Sequence, residues 1–148
     1  MLTQVKIKKL YENSILPTRG SNEAAGLDLY ARLESPTLMI KPGETVKVSV
    51  GIATEFAKGH VALVYARSGI ATKKDLAPAN KVPVIDSDYR GEWFIPLHNH
   101  GSKIQCIEHG ERIAQVIFQE IELPEIIEAE ELNDTERGEG GFGSTGTK

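Results

Sequence analysis

VKVSVGIATEF, residues 46–56, alternates two sets of side chains without a break. Val46, Val48, Val50, Ile52, Thr54 and Phe56 fall on one face, and Lys47, Ser49, Gly51, Ala53 and Glu55 on the other. A period of two is the repeat of a β-strand, so the stretch reads as one long strand with one face buried. Val61, Leu63 and Tyr65 alternate in the same way, as does the opening Val5-Lys6-Ile7-Lys8. Ile113, Gln115, Ile117, Gln119 and Ile121 also alternate, but there Ala114, Val116 and Phe118 make the second face apolar. That pattern predicts a strand covered on both sides, within a sandwich or at a subunit contact.

Turn signals separate these runs: Pro42-Gly43 before the long strand, Lys58-Gly59 after it, then Asn99-His100-Gly101 and His109-Gly110. Many short strands between Gly and Pro turns predict an all-β sandwich or barrel. One short helix is expected from Ser68 to about Lys74, with Ser68 suited to its N-terminus.

The chain has 148 residues, of which 40% are apolar, which suits one domain with a substantial core. Its net charge of −4 argues against a broad nucleic-acid surface but leaves room for a local basic pocket. A lone cysteine, Cys106, excludes an intrachain disulfide and suits a reducing compartment. The opening MLTQVKIKKLYENS has no signal-peptide run, and no stretch has the ~20 apolar residues of a membrane span. The expectation is a cytoplasmic protein without nucleic-acid or membrane partners.

The C-terminal part differs in composition. Residues 124–137, PEIIEAEELNDTER, carry −5, so the other 134 residues carry +1. Residues 138–148, GEGGFGSTGTK, hold five of the 14 glycines. A β domain over 1–123, an acidic linker over 124–137 and a mobile arm over 138–148 are expected.

Five segments could carry chemistry. In the arm, glycine N–H groups with Ser144, Thr145 and Arg137 suit phosphate, and Phe142 has no core to join but could stack on a base. Ala66-Arg67-Ser68-Gly69 places an Arg and a Ser hydroxyl where a strand meets a helix N-terminus. Val84-Ile85-Asp86-Ser87-Asp88-Tyr89-Arg90-Gly91-Glu92, followed by Trp93-Phe94-Ile95, reads as a β-hairpin with Asp86 partly buried at its inner end. Turn-forming Asp and a cross-strand Tyr are the plainer reading of the same segment. Ala25-Gly26-Leu27-Asp28-Leu29 leaves Asp28 pointing away from its leucines, toward solvent on this segment alone. In Glu111-Arg112-Ile113-Ala114-Gln115, Gln115 must find amide partners, and Arg112 could pair with a carboxylate. The four histidines and Cys106 have no zinc-site spacing; His98 and His100 share a strand face as a surface pair. There is no Walker loop, Rossmann fingerprint or nucleophile elbow.

In order, AGLDLYA at 25–31, ARSGIA at 66–71, VIDSDYRGEW at 84–93, GERIAQVIF at 110–118 and RGEGGFGSTG at 137–146 resemble the five motifs of the trimeric dUTP diphosphatases (dUTPases). The resemblance covers nearly the whole chain, and the five motifs together are specific where each alone is weak. It implies a jelly-roll-like β fold, a homotrimer with active sites shared between subunits, and Mg²⁺-assisted hydrolysis of dUTP to dUMP and pyrophosphate. It further implies limiting uracil incorporation into DNA and supplying dUMP for thymidylate synthesis.

By the same resemblance, Asp86 is the general base for the water that attacks the α-phosphorus. Tyr89 lies against the deoxyribose, where a 2′-hydroxyl would clash. Asn80, Val84 and Ile85 line the uracil and sugar pocket, and the backbone of Phe94 contacts uracil. Arg67, Ser68 and Gly69 bind phosphate, Gln115 holds phosphate or its water shell, and Asp28 contacts the hydrated metal. In the arm, Arg137 contacts the γ-phosphate, Phe142 stacks on uracil, and Gly143, Ser144 and Thr145 hold the terminal phosphates. Pro83 departs from the glycine more usual before Val84, and Ile70 replaces the usual leucine. The alternatives are a dCTP deaminase of the same fold, which fits the Asp86–Tyr89 segment and the glycine arm less well, and a dUTP-responsive regulatory binding protein.

Overall fold

A computed structural model describes Leu2 and residues 4–141. Twelve strands and one helix follow in the order β1 (Lys6–Lys9), β2 (Thr18–Arg19), β3 (Leu27–Tyr30), β4 (Thr37–Ile40), β5 (Thr45–Ser49), β6 (Ile52–Glu55), β7 (His60–Tyr65), α1 (Ser68–Lys73), β8 (Leu76–Pro78), β9 (Val84–Asp86), β10 (Phe94–Asn99), β11 (Gln105–Glu108) and β12 (Arg112–Glu120). They pair in four sheets: β2-β3-β12-β7-β9, β5-β10-β8, β1-β6 and β11-β4. The result is all-β and sandwich-like; the sheets do not close into a barrel.

The expected long strand is two strands. The face Val48, Val50, Ile52, Thr54 and Phe56 is buried as its alternation requires, with Val46 half-buried. At Gly51, however, φ is +71°, and the chain changes sheets. Strand β5 pairs with β10, whereas β6 pairs with β1. The Gly51 carbonyl leaves the ladder and accepts from Leu10 N–H (2.9 Å) and the Ser14 hydroxyl (2.7 Å). The Trp93 backbone straddles the corner, accepting from Val50 N–H and donating to the Ile52 carbonyl, each at 2.9 Å. Glycine meets the corner because a side chain there would take a left-handed conformation.

Strand β7 is apolar at every position from Val61 to Tyr65, so alternation alone cannot orient it. Pairing decides: Val64 lies opposite Val116 and Ala62 opposite Phe118. Ala62 and Val64 are fully buried, while Leu63 and Tyr65 are half-buried on the other face. The face of β12 with Ala114 and Val116 is therefore the core side, and Gln115 and Ile117 look outward with Tyr65 and Leu63. Trp93, Leu29, Ile40, Ile52, Leu97 and Ile113 are the large side chains that fill the interior.

The predicted hairpin after Val84 does not form. Strand β9 adds to the edge of the five-stranded sheet beside β7, and β10 crosses to pair with β5 and β8. The apolar residues on either side of the Asp-Tyr-Gly turn belong to different layers, so the segment is a crossover. The helix starts at Ser68, but its N-cap is Arg67 and no side chain caps it. From Ile121 to Arg137 the chain has no strand or helix and is exposed.

Gly51→Ala would force a side chain into the positive-φ corner, against Ser14 and the Arg32 stem at 3.1 Å. We expect a loss of roughly 1–3 kcal/mol, read as a lower urea midpoint at unchanged slope.

Candidate active site

Two groups of residues stand out, one on the outer face of the five-stranded sheet and one where strand β9 meets β5 and β10. The first centres on Asp28. In β3 this residue lies opposite Gln115 of β12, which lies opposite Tyr65 of β7, so all three share one face. The Asp28 carboxylate is 13% exposed and shared by two guanidinium groups, with Arg67 Nε at 2.6 Å and Arg112 Nη1 at 3.3 Å. It is not a solvent-facing Asp, because Arg67 leaves the end of β7 directly above it. Arg67 is likewise not a free surface cation. Gln115 Nε2 donates to the Ala66 carbonyl at 3.0 Å, so its amide has the partner that a half-buried position demands. Gly26 makes room for that amide: a Cβ there would meet Gln115 Oε1 at 2.7 Å.

Ser68 and Gly69 open the helix beyond Arg67 and are exposed. The first bond of the helix runs from Ala71 N–H to the Arg67 carbonyl (3.0 Å), which leaves the N–H groups before it turned outward. Among the described residues nothing lies within 4 Å of a Cβ at Gly69.

The second group lines a cleft of about 260 Å³ bounded by Lys47, Val84, Ile85, Asp86, Tyr89, Glu92, Trp93 and Phe94. Val84 is 60% and Tyr89 44% exposed, so the cleft presents apolar surface to a ligand. Asp86 ends β9 and is exposed rather than partly buried; among the described residues no hydrogen bond engages its carboxylate. Its carbonyl accepts from Tyr89 N–H at 3.2 Å, which turns the loop. The Tyr89 hydroxyl donates to the Glu92 carbonyl at 3.1 Å. Its ring lies on Gly91, where a Cβ would clash with it.

Alternation along 46–56 marked Lys47 only as an outward polar residue. Its ammonium lies 4.0 Å over the Phe94 ring, at the cleft wall. Glu92 was also missed as a functional residue, since no motif spacing signals that both its carboxylate oxygens are held from elsewhere. Asn80 is exposed on the β8–β9 turn, outside the residues that line this cleft. Pro83 supplies its carbonyl to Val64 N–H at 3.0 Å, so the missing N–H does not interrupt that bond. Arg137 is exposed, with Nε donating to the Gly140 carbonyl at 2.7 Å. Phe142, Gly143, Ser144 and Thr145 lie outside the described residues.

The groups are separate within one chain. Asp86 lies opposite Val61 near the start of β7, and Arg67 follows its end. Six extended residues put roughly 20 Å between those points. Among the described residues no cluster of three or more His, Cys, Asp or Glu side chains could cage a metal, and no helix is long and apolar enough to cross a membrane. The His98 and His100 rings meet edge to face, with centroids 4.4 Å apart, and His98 Nδ1 is bonded to the Thr45 hydroxyl.

A family model described as dUTPase matches residues 12–146. The chain is 45% identical over 143 residues to the deoxyuridine 5′-triphosphate nucleotidohydrolase of Nautilia profundicola, covering 97% of this chain and 99% of that protein. It superposes on a mutant dUTPase of Staphylococcus bacteriophage 80alpha solved with dUpNHpp, with TM-score 0.87 and 27% identity, covering 97% and 98% of the two chains. A mutant dUTPase from phage phi11 of S. aureus, described with a coordinated structural Mg(II) ion, shares the fold at TM-score 0.78 and 23% identity, covering 89% and 100%.

Asp28→Asn should leave Arg67 and Arg112 as neighbouring like charges. We expect a loss of about 1–3 kcal/mol in chemical denaturation, smaller in high salt, where the repulsion is screened.

Proposed function

The chain belongs to the dUTPase family, and we propose that it hydrolyses dUTP to dUMP and pyrophosphate with Asp86 as the general base. The observation that carries this assignment is the position of Asp86. It sits at the rim of a half-apolar cleft, on an ordered strand end, with its carboxylate unengaged among the described residues. A base must be free to accept a proton and held close to the reacting atom. In the proposed step a water oxygen attacks the α-phosphorus in line with the bridging oxygen to the β-phosphorus. Asp86 takes the water proton, the bridging bond breaks, and pyrophosphate leaves with the electron pair.

Val84, Ile85 and Phe94 form the walls for uracil, and the Tyr89 ring lies where a 2′-hydroxyl would have to sit. Arg67, with the outward N–H groups of Ser68 and Gly69, holds the phosphate chain, and Gln115 fixes its solvent shell. The length of β7 supports a site shared between copies of the chain. Arg67–Gly69 and Asp86 are too far apart in one chain to serve one triphosphate. A second copy must bring its Arg67 to this Asp86, as a homotrimer with three shared sites would.

The residues fit a magnesium ion in one way only. Asp28 is a single carboxylate already engaged by two guanidinium groups, so the chain offers an outer-sphere partner and no cage. Mg²⁺ keeps its waters readily, and when bound with the nucleotide it would neutralise phosphate charge. Residues 138–148 serve as an arm that closes on the nucleotide, joined through 124–137 to a β domain of residues 1–123. Arg137, Phe142, Gly143, Ser144 and Thr145 supply its contacts. The lone cysteine supports a cytoplasmic setting.

Asp86→Asn should lower turnover of dUTP by roughly 10³-fold while binding of a non-hydrolysable dUTP analogue changes only a few-fold. Unchanged turnover would overturn the base assignment. Deleting 138–148 should lower kcat/KM steeply and leave the melting temperature nearly unchanged; a large fall in melting temperature would make the arm structural.

A further inference from the structure

Tyr11 lies on the turn after β1, outside every segment assigned a role above, yet its hydroxyl donates to Glu92 Oε2 at 3.1 Å across 81 positions of sequence. The Ser49 hydroxyl, from the end of β5, donates to the other carboxylate oxygen. Both oxygens of Glu92 are thus held, from two separate elements. The Arg32 guanidinium covers the Tyr11 ring at 3.6 Å and is itself fixed by Asn13 Oδ1 at 3.2 Å. The Glu92 carboxylate beside it pushes the Tyr11 hydroxyl above its ordinary pKa, so the donor keeps its proton across the neutral range. Hydrogen bonds to a carboxylate are among the stronger ones.

The main chain of Glu92 does a second job. Its carbonyl accepts the Tyr89 hydroxyl at 3.1 Å, and Gly91 before it is the surface on which the Tyr89 ring lies. A Cβ at Gly91 would stand 2.8 Å from Tyr89 Cε2, so ring and backbone are in contact with nothing between them. A shift of residues 91–92 therefore moves the ring. The Trp93 backbone anchors residues 91–92 from one side, and the Glu92 side chain, held by Tyr11 and Ser49, braces them from the other.

We propose that Tyr11 is a positioning residue for sugar selection: through Glu92 it holds the Tyr89 ring where a ribose 2′-hydroxyl cannot enter. The inference rests on the reading of Tyr89 as the group against the deoxyribose. Excluding one hydroxyl by contact needs a wall fixed to a fraction of an ångström, and an exposed ring on a loop has no such rigidity of its own. The brace supplies it from the opposite side of the cleft wall.

The test compares kcat/KM for dUTP and for UTP, with melting temperature, across Tyr11→Phe, Glu92→Ala, Glu92→Gln and Tyr89→Ala. Tyr11→Phe keeps the ring under Arg32 and removes only the hydroxyl. It should raise the UTP-to-dUTP ratio by roughly three- to tenfold, through the UTP term. Glu92→Ala should raise it further. Glu92→Gln should restore it, since the amide oxygen still takes the Tyr11 proton and its N–H₂ can turn to the Ser49 oxygen. Tyr11→Phe added to Tyr89→Ala should change the ratio no further, as expected of residues acting in series. A lower melting temperature in Tyr11→Phe with activity on both nucleotides reduced in equal proportion would overturn the inference and leave Tyr11 a fold residue. An unchanged ratio in Tyr89→Ala would instead overturn the sugar-gate reading itself. The two failures are therefore distinct.

Discussion

At Gly51 the chain turns out of one sheet and into another, and the rest of the molecule is arranged around that corner. A positive φ there frees the Gly51 carbonyl for Leu10 and Ser14. Trp93 closes the gap by bonding the residues on either side. Because Trp93 is tied to both strands, Phe94 must begin β10 beside Ser49, and Glu92 must end the preceding loop within reach of the Ser49 hydroxyl. The indole fills the core beneath, and the same residue contributes to the cleft wall. One conformational demand on one residue thus fixes where the loop from Asp86 to Glu92 is anchored, and with it the geometry of the cleft.

The alternating runs of this sequence carried most of the fold. The face from Val48 to Phe56 is buried as periodicity predicts, but Gly51 and Ala53 on the other face are buried too, because the corner packs both sides of the chain. What periodicity could not carry was partnership. Strand β7 has no polar residue from Val61 to Tyr65, so its core side is decided by β12 and is invisible in the strand itself. The segment around Asp86 has the composition of a hairpin, and only the tertiary pairing of β9 with β7 and β10 with β5 makes it a crossover. The site shows the same division. Residue types in motif order pointed to Asp86, Tyr89, Arg67 and Gln115 as a set. The pairing of Asp28 with two arginines, the cation of Lys47 over Phe94 and the brace on Glu92 join residues far apart in sequence. They follow from topology, which local composition does not encode.

The two residue groups also differ in character, in keeping with the parts of a nucleotide. The cleft is half apolar, with exposed Val84 and Tyr89, and suits a base and sugar. The Asp28 group is ionic. Between them on the outer face lie half-buried Leu63 and Ile117, apolar side chains that one chain leaves partly open to water. A surface of this kind suits contact with another copy of the chain, which is also what the span of β7 requires if both groups are to act on one substrate.

The charge arrangement gives the Asp28 group a further property. One carboxylate shared by two guanidinium groups leaves a surplus positive charge at the end of β7, held in place before any ligand arrives. A phosphate chain would compete with Asp28 for the same guanidinium groups, and it carries more negative charge than the carboxylate does. Asp28 therefore holds Arg67 and Arg112 in place while the site is open.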